Sequence, residues 1–451
     1  MSLEDTFYPF LPPPVKRLWN RVRGSSMGYR IAHGAFWAMT GAGLAQAMLL
    51  LTSIAIARIV GKEQFGEFGM ITNTVGMFSV FAGFGLGMTA TKYVAEFRSK
   101  DPEKTGRIIA LSSLVSITTG VIFTVLLLFI APWLAEKTLS APHLAGLLRM
   151  SAAFLFFSAL SGAQTGALAG FEAFRSIARI SALTGFLSLP VLAGGVFLFG
   201  LPGGVIGLVA TTAFTCLMNA IALRGEMRRA AIPWGYAGCA REKEVLIGFS
   251  LPTVLAGVLV NPVNWVCAAI LVNQPSGYGE MGIYSAAASW QKAILFLPGC
   301  LNAIALPMLS DYFGTERHEQ FGKALRYNII LNGGSALAAA FLISLASPFI
   351  MVSYGSGFAE GRLVLIILSF SAVLAALNSV AGSAIASTGR AWLGFTFNLF
   401  WGTSLLTMAY FLVPLYGSTG LALSVLASYT LLTLVLMFYL AGLCRGFGEG
   451  G

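Results

Sequence analysis

The chain has 451 residues, 57% of them hydrophobic and only 10% charged, with a net charge of +10 at pH 7. A soluble domain carries about 25% charged residues to wet its surface, so an aqueous globular fold is excluded and lipid is the solvent that fits. The 52 glycines agree, because small residues let membrane helices pack closely.

In chain order, residues 1–33 come first, with the run Pro12-Pro13-Pro14 and the basic residues Lys16, Arg17, Arg21, Arg23 and Arg30. They lack the short apolar core and small-residue cleavage site of a signal peptide. The stretch reads either as an amphipathic segment on the inner leaflet or as a solvated tail that orients the first helix. A membrane-crossing helix needs about 20 apolar residues. Runs of that kind predict spans at 34–60, 66–91, 107–130, 143–169, 177–200 and 204–223, then 245–272, 281–306, 327–347, 361–387, 392–414 and 417–441. The implied organisation is a basic tail 1–33, a six-helix bundle 34–226, a linker 227–244, a second bundle 245–442 and a tail 443–451.

Lysine and arginine fix the expected orientation, since cytoplasmic loops collect them. With the N-terminus inside, all but six of the 28 fall on the inner face; the exceptions are Arg58, Lys62, Lys137, Arg149, Lys292 and Arg362. Both termini are then cytoplasmic, and the positive charge needs no nucleic acid to explain it. Cys216, Cys239, Cys267, Cys300 and Cys444 lack ligand spacing, and His33, His143 and His318 are far apart. No disulfide framework, metal site or cofactor is expected.

The chain repeats itself. Phe65-Gly66-Glu67-Phe68-Gly69-Met70 recurs as Tyr278-Gly279-Glu280-Met281-Gly282-Ile283, 213 residues later. Glu103 and Gly106-Arg107 match Glu319 and Gly322-Lys323, and Gly204-Val205-Ile206-Gly207-Leu208 matches Gly417-Ser418-Thr419-Gly420-Leu421. Six crossings return a chain to its starting side, so the two halves are expected to lie parallel, a plan that suits a transporter rocking about a central site.

The segment Ala57-Arg58-Ile59-Val60-Gly61-Lys62-Glu63-Gln64-Phe65-Gly66-Glu67-Phe68 resembles the A-R-hydrophobic-hydrophobic-G-x-x-x-[FY]-G signature of Wzx-type polysaccharide exporters, in the multidrug/oligosaccharidyl-lipid/polysaccharide (MOP) transporter superfamily. Tyr278 to Ala287 looks like the cognate motif in their second half. The triple-proline extension departs from the pattern. The glycines of the motif are expected to permit a tight outer hairpin, and its aromatic to anchor that hairpin at the membrane interface.

The resemblance implies an all-α membrane protein with two parallel six-helix bundles around a central cavity. It also implies a flippase that moves a polyprenyl-diphosphate-linked oligosaccharide across the bacterial inner membrane by alternating access. Membrane lipids and glycan-assembly enzymes such as a polymerase would be its partners.

Charges inside spans are functional candidates by default. No Asp or Glu falls mid-span, which counts against the cation-recognising drug or metabolite exporters of the same superfamily. Lys292 lies near the middle of the eighth span and Arg149 about two turns into the fourth, both suited to an anionic diphosphate or acidic sugar. Gln46, Asn73, Asn261, Asn264 and Gln291 are weaker candidates for sugar hydroxyls, or helix-to-helix ties. Pro252 and Pro262 invite a kink that would serve as a gate or merely pack. A third reading, a membrane-embedded glycan polymerase or ligase, lacks the large outer loop and catalytic constellation that such chemistry needs.

Overall fold

The computed structural model describes residues 26–235, 238–242, 258–315, 317–388 and 391–448. They are almost wholly helical: α1 (Ser26–Gly83), α2 (Leu86–Phe97), α3 (Pro102–Trp133), α4 (Leu144–Ser151), α5 (Ala153–Gly170), α6 (Phe174–Ser188), α7 (Gly194–Arg229), α8 (Val260–Val272), α9 (Gly277–Gly314), α10 (His318–Tyr354), α11 (Arg362–Ser387) and α12 (Ala391–Gly448). Local chemistry sets several ends. Asp101 accepts the backbone N–H of Lys104 at 2.9 Å and Pro102 opens α3, the arrangement that satisfies a first turn at least cost.

Among the described residues, seven stretches are long and apolar enough to cross a membrane by length and composition. Three of them, Met39–Gly83, Phe174–Arg229 and Trp392–Leu440, hold 45, 56 and 49 residues, far beyond the ~20 of one crossing. Each contains a glycine outside the helical region: Gly61 (φ 80°, ψ 177°), Gly200 (φ 65°, ψ −151°) and Gly417 (φ 55°, ψ −130°). A positive φ costs an L-residue about 1–2 kcal/mol and a glycine almost nothing.

At two of these glycines the chain visibly doubles back. A Cβ placed on Gly203 would stand 1.9 Å from the carbonyl oxygen of Gly195, and one on Gly420 would stand 2.1 Å from that of Leu412. Helical residues eight apart would instead be separated by about 12 Å. The geometry therefore pairs Gly200 with Gly417 and Gly203 with Gly420. The sequence match of Gly204–Leu208 to Gly417–Leu421 is four residues out of register, because backbone conformation, not letter identity, defines the equivalent glycines.

The Phe65 motif also differs from expectation. The reversal falls at Gly61, before the motif, while Gly66 and Gly282 let α1 and α9 touch. A Cβ on Gly66 would meet the Tyr278 carbonyl at 1.8 Å, and one on Gly282 the Lys62 carbonyl at 2.1 Å. Phe65 is 4% exposed and packs edge-on against Tyr354 and Phe358 at 6.2 and 5.9 Å, so it belongs to the core. The predicted span 66–91 is likewise interrupted, by Phe84 (φ 43°) and Gly85 (φ 63°) between α1 and α2.

Helices α1 to α7 pack among themselves, as do α8 to α12, and the two groups meet chiefly where α1 lies on α9. Buried alanines and serines, such as Ala336, Ala340, Ala372 and Ala376, fill helix contacts, the small-residue packing of membrane interiors. Phe129, Phe349 and Phe438 point outward, a surface that only an apolar solvent tolerates at this extent.

Candidate functional site: a seam and a cavity

Residues 278, 282, 285, 289, 292 and 296 of α9 recur at helical spacing and share one face. Contacts at both ends show that this face looks at α1. A Cβ on Gly69 would stand 2.4 Å from the Ser285 hydroxyl, and one on Gly43 would stand 3.3 Å from the Phe296 ring. Lys292 lies between these two contacts on the same face. It is exposed, and it makes no hydrogen bond or ion pair with another described residue. Fifteen residues separate it from the start of α9 at Gly277, about 22 Å of helix rise, so the ammonium sits deep along the seam.

Two other candidates face the same seam from α1. Asn73 lies between Gly69, which meets Ser285, and Gly76, whose carbonyl accepts Asn261 Nδ2 at 3.3 Å. Gln46 lies one turn from Gly43. Both are half-exposed. Helical spacing thus puts Gln46, before the Gly61 break, and Asn73, after it, on the faces of α1 that meet α9.

The remaining candidates are engaged elsewhere. Arg149 donates through Nε to the Leu128 carbonyl of α3 at 3.3 Å, beside the outward-facing Met150 and Phe129. Gln291 donates to Ser371 of α11 at 2.8 Å, and Asn264 to its own helix at Val260. Asn261 ties α8 to α1 rather than facing open space. Pro262 falls in the first turn of α8, just after a turn at 258–259, a position where its missing N–H costs the helix no hydrogen bond. Pro252 lies outside the described residues.

Among the described residues, most hydrogen bonds joining α1–α7 to α8–α12 lie near the Gly61 end of the seam, while Trp265–Thr74 and Asn261–Gly76 lie about 20 Å further along α1. Arg58 Nε donates to the Ser353 carbonyl at 2.6 Å, Tyr278 to the Leu139 carbonyl at 2.9 Å, and Asn273 Nδ2 to the Thr138 carbonyl at 2.7 Å. Ser140 meets Asn273 Oδ1, and Trp265 Nε1 donates to Thr74 at 3.0 Å. At the other end Arg98 pairs with Glu172, and Arg107 with Glu242 at 3.1 Å, all before residue 243.

A second feature escaped the sequence reading. A cavity of about 420 Å³ lies among α8, α11 and α12, lined by residues that include Asn378, Asn398, Trp401 and Tyr429. Trp401 stacks on Tyr429 at 5.6 Å. Asn378 donates to the Tyr429 carbonyl at 3.3 Å and accepts from Thr433 at 2.9 Å. The usable signal was an amide in the middle of an apolar run, at 378 and again at 398. No group of acidic, histidine or cysteine side chains able to hold a metal occurs among the described residues.

Comparison with known proteins meets this geometry. An inward-facing multidrug resistance MATE transporter of the MOP superfamily superposes with a TM-score of 0.74 at 14% identity, over 92% of this chain and 99% of its own. An outward-facing MATE transporter of the same superfamily gives 0.71 at 15% identity, over 94% and 97%. Fold and apolar helices together define a multi-pass helical membrane protein with the fold of these structures. Residues 31–313 match the family described as polysaccharide biosynthesis protein, and the chain belongs to that family. Relatives include the EPS I polysaccharide export inner membrane protein EpsE of Ralstonia solanacearum, 24% identical over 87% of this chain and 90% of that one. The lipid III flippase of Escherichia coli is also 24% identical, over 84% and 92%.

Proposed function

We propose that the protein is a flippase carrying a polyprenyl-diphosphate-linked oligosaccharide from the inner to the outer leaflet of a bacterial inner membrane. The observation that carries this reading is Lys292, a cation without a partner among the described residues, deep on the seam with Asn73 and Gln46 facing it from α1. A diphosphate crossing hydrocarbon unaided would meet a prohibitive desolvation cost. An ammonium in a poorly screened site attracts it strongly, while amides bond the sugar hydroxyls and the lipid tail stays in the bilayer. The names of the export and flippase relatives support the same substrate class.

In this reading the helices make twelve crossings, six in each of two parallel halves, 34–226 and 245–442, around a central cavity. The basic face and both termini are cytoplasmic. The gathered contacts near Gly61 then close the outer end, so the conformer is open inward, and alternating access requires those contacts to part.

The test is a strain lacking the gene, in which the amount and leaflet of lipid-linked oligosaccharide are measured. Inner-leaflet build-up is expected, relieved by wild type. Lys292→Ala at equal abundance is expected to be slower by about tenfold or more, the loss of one charge-assisted hydrogen bond. Relief by Lys292→Ala equal to wild type removes the assignment of Lys292. Absence of build-up, with altered sensitivity to cationic drugs, replaces the flippase by an exporter of the same superfamily.

A further inference from the structure

The cavity among α8, α11 and α12 has a chemistry that a lipid-facing bundle does not need. At about 420 Å³ it falls within the ~300–1,000 Å³ of small-molecule sites. Trp401 is 3% exposed, and its indole N–H is buried without a hydrogen-bond partner. Such an orphan donor costs about 1–3 kcal/mol unless something accepts from it. Asn378 is fixed by Tyr429 and Thr433, which leaves one of its two N–H donors for another acceptor. Space is provided by Gly382 and Gly394, where an added Cβ would meet nothing within 4 Å. Val260 lines the cavity while its neighbour Asn261 bonds α1, so the width of α8 separates the cavity from the seam.

We propose that this cavity is a carbohydrate subsite that takes a neutral sugar unit of the transported glycan, an inference that rests on the flippase reading. A pyranose offers an apolar C–H face and a rim of hydroxyls. The half-buried Tyr429 of the stacked pair meets the face, the Asn378 amide meets the rim, and a shift of the nearly buried Trp401 brings its indole N–H to a rim hydroxyl. A lipid tail would leave both donors unsatisfied. A cation finds no carboxylate among the described lining residues. The head group would thus be read twice, by charge at Lys292 and by shape and hydroxyl pattern in the C-terminal helices.

The full chain in lipid nanodiscs is titrated with free N-acetylglucosamine, galactose and glucose in turn, followed by tryptophan fluorescence. At least one sugar is expected to saturate the signal. Gly382→Val, whose Cβ enters open space and whose methyls fill the cavity, and Trp401→Phe, which removes the donor, are each expected to weaken it by about tenfold or more. Arg149→Ala, away from the cavity, should titrate as wild type. Saturation by none of the three sugars, or equal titration by the two cavity variants, overturns the subsite. The same variants are placed in the deletion strain. Wild type relieving build-up no better than Gly382→Val and Trp401→Phe leaves the flippase standing and removes the subsite. A deletion strain without build-up removes the flippase, while the titration still reports on the cavity.

Discussion

A lysine at mid-depth in a membrane helix cannot reach water along its own helix, so a neighbour, a cavity or a ligand must meet its ammonium. Lys292 has no protein partner among the described residues and faces the seam. Restoring the positive charge should therefore restore function: Lys292→Arg is expected to recover part of the transport that Lys292→Gln loses, measured as relief of inner-leaflet build-up. Arg149 lies off the seam and bonds one carbonyl at 3.3 Å. Arg149→Ala is expected to leave transport unchanged and to cost under about 1 kcal/mol of stability, read from the melting temperature in detergent. The repeated acids have separated in role. Glu280 accepts the Ser418 N–H at 2.8 Å just after the Gly417 break, capping the second part of α12, whereas Glu67 bonds His143 Nε2 at 2.8 Å. Glu280→Ala should lower stability by about 1 kcal/mol, again visible in the melting temperature. The deep placement of Lys292 and the pairing of Glu67 with Glu280 were legible from span depth and motif. The partners of Arg149, Gln291 and Glu280 were not, because each comes from a distant helix.

At the scale of the element, glycine spacing carries two different meanings that composition cannot separate. Some glycines break helices, and some let helices touch. Gly66 and Gly282 are of the second kind, and alanine at either would drive a methyl into backbone. Gly66→Ala and Gly282→Ala are expected to lose most folded protein, while Gly299→Ala in open space should match wild type or gain up to about 1 kcal/mol from helix propensity. Size-exclusion yield of the three variants checks this; equal yields would contradict the close approach. Gly61 differs again: nothing crowds it, but its φ of 80° strains any side chain. The reversals were foreseeable as glycines near span ends, yet the sequence match chose Gly204 where the backbone turns at Gly200. Identity among neighbouring glycines carries no conformational information.

At the scale of the whole molecule, the two helix groups touch along one seam, with most of their polar contacts among the described residues toward one end. A transporter that alternates access must open that end. Cysteines at Ser140 and Asn273, whose side chains now meet, introduced after removal of the native cysteines, are expected to cross-link under oxidation and arrest transport, with recovery on reduction. Undiminished transport by the oxidised protein would show that this end need not open.

Sequence by itself determined the solvent, the helical class, the repeat and the family, because each rests on a property summed along the chain: apolar length, charge placement and recurring glycines. It also singled out Lys292, since a charge at mid-depth is conspicuous in one dimension. Which candidates share a surface, which glycines turn the chain, and where α8, α11 and α12 leave an aromatic, amide-lined cavity were decided only in three dimensions. Helical phase and inter-helix packing convert positions hundreds of residues apart into neighbours, and no local pattern records which face of one helix will meet which face of another.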